Sequence, residues 1–182
     1  MKRIAIAGTN EIVNVLAADV SAYMAAHHPG NEWREVTDAE AAELMKPTLE
    51  EARAAKIARI DAETSAAIIA GFDYEVEGRV LHFSYDANDQ QNFADTANAS
   101  LLAKMGVPGV PESVTWNGWE IARDEDGAEV SRSLVRLALT PDTFLTLYMA
   151  GALAHKAMRM ETGGQRKAAA EVAATIEELE AV

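Results

Sequence analysis

The chain contains no cysteine, which removes disulfides, thiolate metal sites and thiol nucleophiles together and is compatible with folding in a reducing cytoplasm. Cations are scarce as well: 16 Lys and Arg stand against 29 Asp and Glu, a formal charge of −13. That balance repels a nucleic-acid backbone unless the basic residues cluster, and they are scattered, so no nucleic-acid partner is expected. Glycine triads are missing too. A dinucleotide-binding turn needs three glycines, and the opening strand is followed by Gly8 alone. Gly-x-Ser-x-Gly, a Walker-type glycine loop and His-Glu-x-x-His are all absent. The expectation is a protein that is not an enzyme, with no catalytic, cofactor-binding or metal residues and no cofactor. No stretch reaches the roughly eighteen uncharged apolar residues of a spanning helix. The apolar run behind Lys2 and Arg3 covers only about four residues before Thr9-Asn10-Glu11, too short for a signal peptide. A soluble protein without membrane insertion is expected.

What is present suffices to fold. The 182 residues, 49% of them hydrophobic, fit one domain, or one domain with a small appendage. Lys2 to Ala7 alternates, Gly8-Thr9-Asn10 is turn-like and Glu11 to Leu16 is β-branched, which predicts an N-terminal β-hairpin. The competing pattern is one amphipathic helix over 11–27, and the missing glycines argue against it. Thr37-Asp-Ala-Glu40 is a capping box for a helix over 38–46, ended by Pro47. Thr48-Leu-Glu-Glu51 repeats the device for a long Ala-rich helix to Ala70, with Ile57, Ile60, Thr64, Ala67 and Ile68 inward. Arg53, Lys56, Arg59 and Glu63 are placed on its solvated face, and Gly71 is the stop.

Phe72–Glu77 and Arg79–Tyr85 predict a second hairpin around Gly78. Asp86 or Asn88 caps a helix over 89–105, and Gly106 to Pro111 breaks it. Strands over 114–122 and 130–139 flank a polar turn at 123–127. Thr140-Pro-Asp then starts a helix with Phe144, Leu147, Tyr148, Gly151, His155 and Met158 on one face. Gly163-Gly164 is expected to separate it from a last helix, 165–180, striped with alanine plus Val172, Ile176 and Leu179. The predicted class is α+β, divided into a hairpin-helix segment over 1–47 and a larger domain over 48–182.

The most specific stretch is 80–95, Val-Leu-His-Phe-Ser-Tyr-Asp-Ala-Asn-Asp-Gln-Gln-Asn-Phe-Ala-Asp. His82, Asp86, Asp89 and Asp95 are residue types that a metal-assisted hydrolase centred on His82, Asp86 and Asp89 would use. Their spacing matches no recognised ligand pattern. Capping and loop bonding by Asp86 and Asp89 is the favoured role, with the amides of Gln90, Gln91 and Asn92 satisfying backbone. His155 on an apolar face is read as a hydrogen-bonded core residue and His27-His28 as surface. Asp124, Glu125, Asp126 and Glu129 are read as a hairpin tip, and Trp116 and Trp119 as lying on opposite faces of a strand.

Four segments carry a family resemblance: Ala-Lys-Ile-Ala-x-Ile-Asp-Ala (55–62), Ala-Ala-Ile-Ile-Ala-Gly-Phe (66–72), His82 to Asn92, and Thr140-Pro-Asp-Thr-Phe-Leu with His155 downstream. Over roughly 50–178 the chain resembles an uncharacterised domain family of phage and prophage tail fibre and related tail proteins. The opening, with Trp33 and Val36, resembles the short hairpin of small phage tail proteins. The resemblance implies a non-enzymatic tail appendage, connector or short fibre protein, or a fibre assembly chaperone. It implies binding to other tail or baseplate proteins, in a virion or tail particle assembled in the host bacterial cytoplasm. Repetitive shafts and a receptor-binding tip are absent, which argues against a full fibre. Alanine stripes bury little area per residue, so the helical ends at 48–70 and 165–180 need a close neighbour or an identical partner chain. A homo-oligomer is expected, a trimer by analogy with tail appendages.

Overall fold

The computed structural model describes every residue except Asn10 and Ala17, so the predicted turn at Gly8-Thr9-Asn10 lies partly outside the described residues. Two compact units result, Met1–Ala52 and Arg53–Val182.

In the first unit β1 (Lys2–Ile6) pairs antiparallel with β2 (Ile12–Val15), the predicted hairpin. It also pairs antiparallel with β3 (Trp33–Val36), a strand that the sequence pattern did not announce, giving the order β2-β1-β3. Alternation along β1 divides the apolar side chains between two clusters. Ile4 and Ile6 meet Val15, Val20 and Met24, the last two from α1 (Val20–His27). Ala5 meets Val36 and Ala41 of α2 (Asp38–Leu44). Helix α1 starts where Asp19 accepts from the Ala22 amide at 3.0 Å, well after the start of the rejected 11–27 pattern.

The capping box forms as the sequence dictates. The Glu40 carboxylate accepts from the Thr37 amide at 2.8 Å and from its hydroxyl at 2.9 Å, while Thr37 Oγ1 accepts from the Glu40 amide at 3.2 Å. These bonds, the amide foremost, with help from Arg34, hold the Glu40 pKa at about 2, below its ordinary 4.5. Because the folded value is depressed, the contribution is fully present above pH 4.5 and is lost as pH falls through about 2. Glu40→Gln is therefore expected to melt lower than the wild type at neutral pH, with the gap in Tm closing across that acid window. A gap independent of pH would show that the carboxylate charge plays no part.

The second unit opens inside α3 (Leu49–Ile69), whose first turn is counted with the first unit. Strands β4 (Phe72–Val76) and β5 (Arg79–Phe83) turn through Glu77 and Gly78, both at positive φ. Helix α4 (Ala87–Lys104) follows, then the long hairpin of β6 (Val114–Arg123) and β7 (Glu129–Leu139). The sheet runs β4-β5-β6-β7, antiparallel throughout. Its inner face, with Phe72, Leu81, Phe83, Leu137 and Leu139, packs with Phe93 of α4 and with Phe144 and Leu147. Phe144 belongs to α5 (Pro141–Thr146), capped by Thr140. The helix continues through a π-helical stretch, Leu147–Leu153, into α6 (Ala154–Val172). The short α7 (Ile176–Glu180) closes the chain, and the class is α+β.

Three expectations need correction. Gly163-Gly164 does not divide two helices: α6 passes straight through both. A Cβ on Gly163 would stand 2.3 Å from Thr64 Oγ1, so glycine lets α6 approach α3 there, offsetting a helix-propensity cost of about 1 kcal/mol per glycine. The actual break lies at 173–175, where Thr175 caps α7. Second, Arg53 and Lys56 are not on a solvated face. Arg53 donates to the Ala170 and Ala173 carbonyls at 3.3 and 2.8 Å, and Lys56, 7% exposed, to the Glu180 carbonyl at 3.3 Å. They satisfy the orphan acceptors at two helix C-termini, where cations are favoured. Third, Met158 and Val172, placed on apolar stripes, are exposed, whereas Leu179 is buried.

Candidate functional site

The residues of the 80–95 stretch go to separate places. Asp86 Oδ1 accepts from the Asn88 and Asp89 amides at 2.8 and 2.9 Å and caps α4. Asp89 sits in the first turn, where a negative charge complements the helix dipole. It borders a hollow of about 390 Å³ with Asn92, Asn117 and Trp119. Asp95 accepts from Gln91 Nε2 at 2.8 Å, one turn away. Gln90 donates to the Tyr85 carbonyl at 3.2 Å and accepts from Lys156 at 2.8 Å, tying α4 to the preceding strand's end and to α6. Among the described residues no three His, Asp or Glu side chains converge so as to hold a metal ion. Asp86→Ala is expected to cost about 1 kcal/mol through the lost cap. Urea denaturation measures it, and plasma mass spectrometry should find equal metal content in both proteins.

His82 has a different environment. It faces Asp73 across the β4–β5 ladder, and cross-strand partners share a face of the sheet. Its Nδ1 lies 2.8 Å from Asp73 Oδ1. Since an ionised carboxylate only accepts, Nδ1 carries the hydrogen, leaving Nε2 directed to Gly71. Gly71 has φ +87°, and a Cβ there would stand 2.9 Å from that Nε2 and 2.3 Å from the Phe83 carbonyl oxygen. Only glycine fits this approach of backbone to ring.

His155 is 8% exposed, stacks on Phe72 at 5.7 Å and donates from Nε2 to the Ile68 carbonyl at 3.2 Å. Trp116 packs inward on Phe93 at 4.5 Å, whereas Trp119 lies under the Arg132 guanidinium at 5.7 Å, the opposite faces expected of positions three apart. The acidic tip closes on itself: Asp124 Oδ1 accepts from the Asp126 and Ala128 amides at 3.1 and 2.8 Å. Glu129 makes a two-pronged pair with Arg132, both bonds 2.8 Å, which lowers its pKa.

Two concavities of the second unit bring such residues together. The first is a cleft of about 600 Å³ that brings together Asp73, His82, Arg123, His155 and Arg159 over an apolar floor that includes Phe72. The sequence pattern marked His82 and His155 separately and missed Asp73, Arg123 and Arg159. They come from β4, the end of β6 and α6, and no local spacing links them. One wall is the π-helical stretch. The wider turn sets Gly151 against Phe72, whose Cε2 would be 2.6 Å from a Cβ at that position, and helices of this kind cluster at functional sites.

The second is an apolar groove of about 550 Å³ between α4 and the helix that starts at Pro141. It is lined by Leu101, Leu145, Tyr148, Met149 and Leu153, with the Lys104–Asp142 ion pair at its border. Met149 is 65% and Leu101 49% exposed, large values for such side chains on one contiguous surface.

A family model described as Domain of unknown function (DUF4376) matches residues 51–182, the whole second unit and the two residues before it. No curated protein and no solved structure matches the chain.

Proposed function

The chain belongs to the DUF4376 family, and we propose that within it the protein acts as a non-enzymatic component of a phage or prophage-like tail. It serves as an appendage, connector or short fibre protein by binding other tail or baseplate proteins. The apolar groove carries this reading: Leu101, Leu145, Met149 and Leu153 offer a partner helix or strand a surface whose burial is worth about 25 cal/mol per Å². Three chemistry-bearing residues of 80–95 support it from the other side: His82 is engaged in a cross-strand bond, Asp86 in a helix cap and Asp95 in a bond within its own helix. On this reading the protein resides in the tail particle and is assembled in the bacterial cytoplasm.

The test is density-gradient purification of particles from the bacterium carrying the gene, with the protein quantified by mass spectrometry. A fixed copy number per particle is expected, reduced by Met149→Glu. Recovery only from the soluble pool, together with particles that lack fibres when the gene is deleted, supports an assembly chaperone instead. Absence from particles without a tail defect overturns the reading.

Self-association belongs to the same proposal, with a trimer favoured. The alanine-rich faces of α3 and α6 have neighbours within the chain, as Gly163 on Thr64 and the Lys167–Asp61 and Arg166–Glu63 pairs attest. The groove is thus the better surface for a second copy. Sedimentation equilibrium giving the 19.6 kDa monomer mass at every concentration overturns this part.

A further inference from the structure

We infer that the cleft between the β4–β5 hairpin and the π-helical wall is a binding site for a small anionic ligand, a carboxylate on an apolar body. The first reason is charge. In a chain of net charge −13, a cation without a carboxylate is in the minority, yet both arginines of the cleft are such cations. Neither Arg123 nor Arg159 has an acidic side chain at ion-pair distance among the described residues. Arg123 makes one bond to the Gly127 carbonyl at 3.2 Å, which leaves most of its five donors free. The carboxylates nearby are committed: Asp73 to His82 at 2.8 Å, and Glu129 to Arg132 by two bonds of 2.8 Å. Two planar, forked donors in the lining of one cleft suit the two oxygens of a carboxylate.

The second reason is shape. About 600 Å³ is in the range of sites that enclose a small molecule. The floor is aromatic and alanine-lined, so a compact apolar body fits below the charged group. Its rigidity is built in. Gly71 is held against His82 and Phe83, Gly151 against Phe72, and His155 is fixed by the Ile68 carbonyl and the Phe72 ring. Such a preformed floor loses little entropy when a ligand enters. The hollow beside Asp89 has no Lys or Arg in its lining, which is why the site is assigned here and not there.

The carboxylate has two natural sources, a free small acid or the C-terminus of a polypeptide, and the experiment separates them. The full chain, labelled with 13C at the Met methyls and His rings, is titrated with 3-phenylpropionate, with its neutral amide, and with the tripeptide Ala-Ala-Phe as free acid and as amide. Saturable shifts of the Met158, His82 and His155 signals with 3-phenylpropionate at millimolar concentration are expected, and the amide should produce none. Arg159→Ala and Arg123→Ala should each weaken binding about tenfold or more, the loss of a charge-assisted bond. Arg136→Ala, an exposed arginine on β7 outside the cleft, should not. Binding of the tripeptide acid in preference to 3-phenylpropionate assigns the site to a chain terminus, and the reverse assigns it to a free acid. Equal binding of acid and amide, unchanged affinity in both arginine variants, or no saturable shift with any probe overturns the inference. Because both arginines are exposed, the variants are expected to keep the wild-type melting curve, which separates lost binding from lost fold.

Discussion

Phe93→Ala is expected to lower the unfolding free energy of the second unit by about 3–5 kcal/mol. Phe93 is fully buried, and it is the one large side chain that α4 sends into the core, the others being Ala97 and Ser100. Its ring meets Trp116 at 4.5 Å, Tyr85 at 5.7 Å and Phe144 at 5.8 Å. Truncation removes the area that fixes α4 to both the sheet and the helix beginning at Pro141, and leaves a cavity walled by stiff rings that relax poorly. Urea denaturation followed by tryptophan fluorescence reads this directly, because Trp116 lies against the deleted ring. Trp33, which belongs to the first unit, is replaced by Phe in the background so that Trp116 and Trp119 report alone. Leu102→Ala, at an exposed position on the same helix, should stay within about 0.5 kcal/mol of the parent. A loss below about 1 kcal/mol for Phe93→Ala would mean that the aromatic cluster does not anchor α4.

Gly71→Ala is expected to cost about 2–5 kcal/mol although it adds a single methyl group. The residue sits at φ +87°, where a Cβ brings roughly 1–2 kcal/mol of steric cost. The added carbon would also stand 2.3 Å from the Phe83 carbonyl oxygen. Backbone cannot step aside as a side-chain tip does, so an overpacking cost of about 1–3 kcal/mol is added. Gly164→Ala is the contrast. That glycine is inside α6 with nothing within 4 Å of its would-be Cβ, so alanine should stabilise by up to about 1 kcal/mol through helix propensity. The two substitutions, chemically identical, should therefore move the urea midpoint in opposite directions. Equal shifts would show that the β4 turn is looser than the Gly71 contacts indicate.

The elements legible in the sequence are those whose cause is local. The capping box at Thr37–Glu40, the cap at Asp86, the Thr140-Pro-Asp helix start and the Glu77-Gly78 turn all formed where their residues announced them. Each satisfies its hydrogen bonds or its backbone angle within four residues, so neighbours in sequence carry the whole instruction. The alternation of β4 through β7 was readable for the same reason. Gly163-Gly164 misled because propensity argues for a break there. Only the approach of Thr64, ninety-nine positions earlier by residue number, gives the glycines a reason to remain in a helix. Arg53 and Lys56 misled likewise, since charge argues for solvent until the carbonyl ends of α6 and α7 arrive beside them.

The candidate site divides along the same line. Sequence by itself determined that residues 80–95 were exceptional and that Asp86 would cap the following helix, because a cap is a matter between near neighbours. It also determined the α+β class, through the alternation of periods along the chain. Tertiary structure alone decided that His82 belongs with Asp73, Arg123 and Arg159 in one cleft and that Leu101 meets Met149 in a groove. Residues brought together from β4, β5, β6 and α6 share no spacing in the chain. Their proximity is a product of how the sheet and the helices pack, and packing is decided by side-chain volume and buried area summed over the whole unit.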